Sequence, residues 1–75
     1  MTLKEFIDKE GDFSKFGTGN WEDISLRDKD DETIGIYALS DIANIKEDYL
    51  NADFMAVGSS TIKPTRLRIR INYDI

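Results

Sequence analysis

The sequence predicts an α+β domain in which a short N-terminal helix packs on a mostly antiparallel four-stranded sheet, with a short helix between two hairpins. Apolar residues near the start recur at helical spacing, and several later segments alternate apolar with polar residues. A length of 75 residues fits a single domain spanning residues 1–75. The 40% hydrophobic and 11% aromatic fractions supply enough apolar material for a core and argue against disorder.

The first helix is predicted over residues 3–10. Thr2 and Glu5 have the T-x-x-E spacing of a capping box, in which each side chain accepts a hydrogen bond from the other residue's backbone. Apolar residues then share one helical face: Leu3, Phe6 and Ile7. Because so short a helix is not stable alone, we expect it to dock on the sheet.

A glycine-rich loop is predicted over residues 12–20. Phe13, Phe16 and Trp21 border it. Exposed, these aromatic side chains would form a binding hot spot, whereas buried they would cover the end of a small core. We expect at least two of the three to be buried.

Two strands, over residues 21–27 and 32–39, are predicted to form a first hairpin around the polar turn 28–31. Ile24 and Leu26 point to one side of the first strand. In the second strand one face collects Ile34, Ile36 and Ala38, and the other Thr33, Gly35 and Tyr37. A helix or helical turns should follow over residues 41–51, and Ser40 or Asp41 can cap them.

The second hairpin is predicted from residues 53–60 and from the segment after Pro64. That last segment alternates apolar residues with polar ones, in the order Arg66, Leu67, Arg68, Ile69, Arg70, Ile71, Asn72 and Tyr73. A slip of one residue would move three arginines into the core, so the register is strongly fixed. We therefore expect this strand to be central or well paired.

Charge is divided unevenly along the chain. The net charge is −5, with fourteen acidic and six basic residues in 1–53 (net −8) and four basic and one acidic residue in 54–75 (net +3). An acidic surface attracts basic surfaces and repels nucleic acids and anionic lipids. We therefore expect neither a direct nucleic-acid partner nor a membrane partner, although plain solubility would account for the same charge.

Residues for conventional catalysis are missing from the sequence. With no His and no Cys, the chain lacks the commonest general base, a thiol nucleophile and the preferred zinc ligands. The segment 28–32 places acids as a calcium loop does, but Thr33 stands where that loop needs glycine and Leu39 where it needs glutamate. We expect no enzyme activity and no catalytic, cofactor-binding or metal-binding residue.

An acidic set along the first hairpin is the candidate partner-binding site. Such carboxylates can present a spacing comparable with that of DNA phosphates and could enter the basic groove of a nucleic-acid-binding enzyme. The alternative is a solvated hairpin tip. The candidate residues are Glu22, Asp23, Asp28, Asp30, Asp31 and Glu32, which Asp41, Glu47, Asp48 and Asp53 could extend.

The arginine stripe on the last strand is the competing surface. Arg66, Arg68 and Arg70 lie on one face of that strand. They can pair with acids of neighbouring strands, such as Glu22, Asp23 or Asp53, or they can face a partner, including the phosphates of a nucleic acid, which the net negative charge opposes. Pairing is the expected role, because cross-strand charge pairs are common neighbours in sheets.

Three segments resemble small bacteriophage- and prophage-encoded proteins of Gram-positive bacteria: MTLKEFID (1–8), ISLRDKDDE (24–32) and KEDYLNADFMAV (46–57). The loop 12–20 and the arginine-rich last strand depart from that group. The resemblance implies a cytoplasmic inhibitor of a host defence protein, like the anti-CRISPR proteins that mimic DNA, and it transfers no site residues. The alternative is a structural or assembly module, monomeric or homodimeric, without an inhibitory role.

Overall fold

The computed structural model describes residues 1–10 and 21–74, and for Glu10 the backbone alone. The predicted α+β fold is confirmed: an N-terminal helix, a four-stranded sheet, and a 3₁₀ segment with a short helix between two hairpins. The elements are α1 (Leu3–Glu10), β1 (Asp23–Arg27), β2 (Thr33–Ala38), a 3₁₀ segment (Leu39–Asn44), α2 (Glu47–Leu50), β3 (Phe54–Ser59) and β4 (Arg66–Ile71). The predicted loop 12–20, with Phe13 and Phe16, lies outside the described residues.

The strand order is β2-β1-β4-β3. Each hairpin is an antiparallel pair, β1 with β2 and β3 with β4, whereas the two hairpins join through a parallel pairing of β1 with β4. The arginine-rich strand β4 is therefore central and paired on both sides, in line with the expectation that it is central or well paired. We call this pairing of β1 with β4 the parallel seam. It determines which charged residues of the two hairpins come into contact.

The start of α1 is a capping box, as the sequence predicts. The backbone N–H of Thr2 donates to Oε1 of Glu5 at 2.9 Å, and the N–H of Glu5 donates to Oγ1 of Thr2 at 3.2 Å. The hydrogen bond that the Thr2 N–H donates to the Glu5 carboxylate is the main reason that the pKa of Glu5 is lowered. The buried face of α1 carries Leu3 and Phe6, and the Phe6 ring stacks on Phe54 with centroids 4.0 Å apart.

The core lies between α1, the helical turns and one face of the sheet. Parallel pairing places Ile24 beside Leu67 and Leu26 beside Ile69, and all four side chains are almost completely buried. The opposite face, which we call the open face, is covered by no described element. Its two central strands carry Asp23, Ser25, Arg27, Arg66, Arg68 and Arg70.

Strand β2 does not keep either of its two predicted faces intact. Tyr37 pairs with Ile24 and Gly35 with Leu26, so the Tyr37 ring packs over Gly35 toward the core. Ile36 lies opposite Ser25 on the open face and is 53% exposed. The predicted strict alternation of β2 is wrong at its start, because the register shifts between Leu26 and Arg27: Thr33 pairs with Arg27 on the open face, and Ile34 packs against the core.

The helical turns between the hairpins are interrupted at Ile45, whose extended backbone directs its side chain into the core. The predicted caps are wrong. The 3₁₀ segment begins at Leu39, and Ala38 occupies the position before it without a side-chain hydrogen bond. Ser40 and Asp41 thus lie inside the segment, because β2 runs into it directly.

Within the described residues no helix is long and apolar enough to cross a membrane. Trp21, which directly precedes the first hairpin, is partly buried and packs against the edge of the core.

Candidate functional site

The six acidic candidates separate into two groups at opposite ends of β1. Glu22 and Asp23 lie where β1 begins, and the other four lie in the turn after it ends. Five residues of extended chain span about 16 Å, so the two groups form no single continuous row.

Asp23 is bound into the sheet by two cations. Its Oδ1 accepts a hydrogen bond from Arg66 Nε at 3.0 Å, and its Oδ2 accepts from Arg66 Nη2 at 3.2 Å and from Lys63 Nζ at 2.9 Å. The hydrogen bonds from Arg66 are the main reason that the pKa of Asp23 is lowered, and the same contact raises the pKa of Arg66. The expected pairing of the arginine stripe with β1 is thus confirmed for Arg66.

Glu22 belongs to the same contact group at its exposed margin. Its Oε2 accepts a 2.6 Å hydrogen bond from the Thr65 hydroxyl and lies 3.5 Å from Lys63 Nζ. The bond from Thr65, followed by the charge of Lys63, lowers the pKa of Glu22. Both acids at the start of β1 therefore neutralise basic residues of the second hairpin.

In the turn, Asp28 organises the backbone. It is only 5% exposed, and its Oδ1 accepts hydrogen bonds from the backbone N–H of Asp30 at 2.9 Å and of Glu32 at 3.0 Å. An aspartate that bonds to the backbone two residues on is the usual Asx-turn arrangement. Asp28 therefore shapes the turn and offers little surface to a partner.

Asp31 is also held within the turn, by its backbone conformation and by contacts with Arg27. Its φ of 64° lies in the left-handed region, which Asp tolerates better than most residues. Arg27 holds it there, with Nε 2.9 Å from Oδ1 and further hydrogen bonds from Nε and Nη2 to the Asp31 carbonyl oxygen. Arg68 reaches Asp31 only at 3.9 Å.

Asp30 and Glu32 differ from the other four candidates. Both are exposed, and neither carboxylate has an ion pair with a described residue. Their positions are nevertheless fixed, because their backbone N–H groups bind Asp28.

Other carboxylates lie at the same margin of the sheet as the turn after β1. Because β1 and β4 are parallel and β3 runs opposite to β4, the turn after β1, the start of β3 and the end of β4 meet there. The Lys29 N–H donates to the Tyr73 carbonyl at 3.2 Å, and the Asn72 N–H donates to the Asp53 carbonyl at 2.8 Å. We call the exposed acids of this margin the acidic edge: Asp30, Glu32, Asp53 and Asp74.

Within the acidic edge only Asp74 has a cation partner among the described residues, with Lys29 Nζ at 3.5 Å. Asp53 was foreseen as an extension of the patch. Asp74 was missed, because no local pattern indicates that β4 runs parallel to β1. Asp41, at the other end of β2, lies inside the 3₁₀ segment and not at this margin.

The remaining arginines lie on the open face. The register places Arg68 between Ser25 and Gly58, and Arg70 between Arg27 and Ala56. The Arg70 side chain has no ion pair or hydrogen bond with any described residue, and its Nε is buried without an acceptor among them. Beside it a depression of about 180 Å³ is lined by Asp31, Ala56, Val57, Gly58, Arg68 and Arg70.

No group of three or more acidic side chains within the described ranges could hold a metal ion. Comparison of the chain with family models, with curated proteins and with solved structures finds no match.

Proposed function

We propose that this chain is a non-enzymatic binding domain whose acidic edge docks on a basic, nucleic-acid-binding groove of a partner protein. The resemblance to small phage-encoded proteins suggests the setting, inhibition of a bacterial defence or nucleic-acid-handling enzyme in the host cytoplasm. The partner class follows from charge, because exposed carboxylates on a protein of net charge −5 attract cationic surfaces.

The observation that carries the proposal is the convergence of exposed carboxylates from three strand ends on one margin. Asp30, Glu32 and Asp53 have no ion pair among the residues described, so their charge is available to a partner. The contacts of Asp28 and Asp31 hold the turn in one shape. A preformed turn loses little conformational entropy on binding, which favours affinity.

A basic groove that evolved to bind DNA offers lysine and arginine side chains already surrounded by counter-anions. Carboxylates that enter it displace those ions, so affinity should fall as the salt concentration rises. Charge complementarity should also accelerate association, because opposite potentials steer the encounter.

The experiment begins with affinity purification from bacterial lysate, using the tagged chain as bait, and continues with the purified partner. The double variant Asp30→Lys/Glu32→Lys is compared with the control Asp8→Lys/Asp41→Lys, which makes the same change in net charge at exposed sites on the helical side. We expect reversal at the acidic edge to weaken binding by about tenfold or more and the control to weaken it much less. Duplex DNA should compete with the wild-type chain.

Equal loss of affinity in both double variants would mean that only net charge matters and would contradict docking through this edge. Binding that neither raised salt nor DNA competition weakens would contradict an electrostatic mimic altogether.

A structural or assembly module is the second candidate function. No described strand pairs with the outer edge of β2 or β3, and Ile36 and Met55 on these strands are 53% and 44% exposed. Open strand edges with apolar side chains can pair with a second copy. Light scattering over a concentration series tests this: a dimer that Ile36→Lys dissociates supports edge pairing, and a strict monomer at high concentration rules it out.

A further inference from the structure

Two of the three arginines on β4 lack a full counter-charge, unlike Arg66, which Asp23 neutralises through two hydrogen bonds. Arg68 has only the 3.9 Å contact with Asp31. Arg70 has no acidic partner among the described residues, and directly opposite it on β1 stands another cation, Arg27. Among the described residues Asp31 is thus the single acid beside Arg27, Arg68 and Arg70, in a protein that is acidic as a whole.

The sheet also leaves room beside these guanidinium groups. Gly58 pairs with Arg68, and a Cβ built on Gly58 would meet no atom within 4 Å. Ala56 pairs with Arg70 and adds only a methyl group. Small residues on β3 therefore leave the depression of about 180 Å³ open against the two arginines.

From this arrangement we infer that the depression between Arg68, Arg70 and Gly58 is a binding site for a small phosphate-type oxyanion. A guanidinium group presents paired N–H donors that match phosphate oxygens, and a phosphate shared by two such groups would relieve their mutual repulsion. The Nε of Arg70 is buried, and no described residue accepts a hydrogen bond from it, so it becomes a further donor for this ligand when the side chain turns toward the depression. No described residue anchors the Arg70 head group, so it can turn toward the depression.

The size of the site limits the ligand. Pockets for drug-sized molecules have volumes of about 300–1,000 Å³, which exceeds the space available here. Inorganic phosphate or the phosphate group of a monoester fits this limit, with the rest of a monoester projecting into solvent. This site lies on the open face, and the case for it does not rest on docking through the acidic edge.

Nuclear magnetic resonance of the full ¹⁵N-labelled chain tests the inference, because the Nε–H of Arg70 gives its own signal. Inorganic phosphate and adenosine monophosphate are titrated separately against sodium chloride of equal ionic strength. We expect saturable shifts of the Arg70 Nε–H and of the Arg68 and Gly58 amide signals. Tighter binding of adenosine monophosphate would identify a monoester as the ligand, and equal binding would identify free phosphate.

Arg70→Gln should weaken phosphate binding by about tenfold, and Lys4→Gln, which removes one exposed positive charge elsewhere, should leave it within about twofold. Loss of spectral dispersion in Arg70→Gln would show that this variant does not fold. In that case Gly58→Val tests the site instead, because it fills the depression and retains both arginines. Shifts that chloride reproduces, or affinity that Gly58→Val leaves unchanged, would overturn the proposed site.

Discussion

Asp23 and Arg66 face each other across the parallel seam, and both carboxylate oxygens of Asp23 accept hydrogen bonds from the same guanidinium group, at 3.0 and 3.2 Å. The two residues are 43 positions apart in the chain. Their pairing therefore joins the acidic first hairpin to the basic second hairpin at the point where the two hairpins must align. Because the Asp23 side chain is only 15% exposed, loss of either partner leaves a poorly solvated charge.

Asp23→Asn should destabilise the fold at neutral pH by about 1 kcal/mol, a modest figure because solvent at the sheet margin screens the pair. The pKa of Asp23 is lowered in the folded state, so the unfolded chain binds the proton more readily. The stabilisation is therefore complete above about pH 4 and is lost as the pH falls through the folded-state pKa. In urea unfolding at several pH values, the free energy of unfolding should therefore fall less steeply at acidic pH for the variant than for the wild type.

Glu22→Gln is the control for that measurement. The pKa of Glu22 is lowered as well, but its side chain is 65% exposed. Solvent screens the contact of Glu22 with Lys63. Loss of the Glu22 charge should therefore change the free energy of unfolding at acidic pH less than Asp23→Asn does. The reverse order would show that the seam is not the main source of acid sensitivity.

Asp28→Ala should cost about 1–2 kcal/mol, because the backbone N–H groups of Asp30 and Glu32 lose their acceptor. Asp28→Asn retains a side-chain oxygen and should recover much of that loss. Thermal unfolding of the two variants measures the difference. If Asn and Ala are equally destabilising, the charge of Asp28 rather than its hydrogen bonds is what stabilises the turn.

Gly35→Ala should destabilise by about 1–2 kcal/mol, because the added methyl carbon would lie 2.8 Å from the Tyr37 ring. Gly58→Ala is the matched substitution on the other edge strand. Its Cβ meets nothing, so we expect a neutral effect or a gain of up to about 1 kcal/mol. Chemical denaturation compares the pair, and truncation of Tyr37 to Ala should reduce the penalty of Gly35→Ala if the ring causes it.

At Asp31 the backbone conformation and the ion pair with Arg27 can be separated. Asp31→Ala and Asp31→Gly both remove the carboxylate, but only glycine adopts a φ of 64° without strain. Asp31→Gly should therefore be more stable than Asp31→Ala by about 1 kcal/mol. Equal unfolding free energies would show that the turn relaxes out of the left-handed region in the alanine variant.

Local patterns predicted the elements whose causes are local. The capping box of Thr2 and Glu5 fixed the start of α1, and the alternation along β4 placed Leu67, Ile69 and Ile71 in the core because a slip would bury arginines. The two faces of β2 were not distinguishable in this way. Each carries residues that can pack, and the contact of Tyr37 with Gly35 becomes favourable only beside Ile24.

The candidate site depended more on topology than on composition. The sequence indicated acids along the first hairpin, but their side-chain contacts divide them between the sheet, the turn and the solvent. Asp23 pairs with Arg66 across the parallel seam, whereas Asp74 reaches the acidic edge only because β4 runs alongside β1. No periodicity within either hairpin encodes how the two hairpins align, so Asp74 could not be foreseen.

The parallel seam also determines how the chain can fold. Each hairpin forms from neighbours in sequence, but an isolated two-stranded hairpin is marginal in water, so neither is expected to persist alone. Pairing of β1 with β4 closes a loop that includes the whole of β2, both helical segments after it and β3. Contacts between residues so far apart in the sequence slow folding, since the entropy of loop closure is lost before the contacts form. The step that buries Ile24 and Leu26 against β4 is therefore the one on which cooperative folding of the sheet depends.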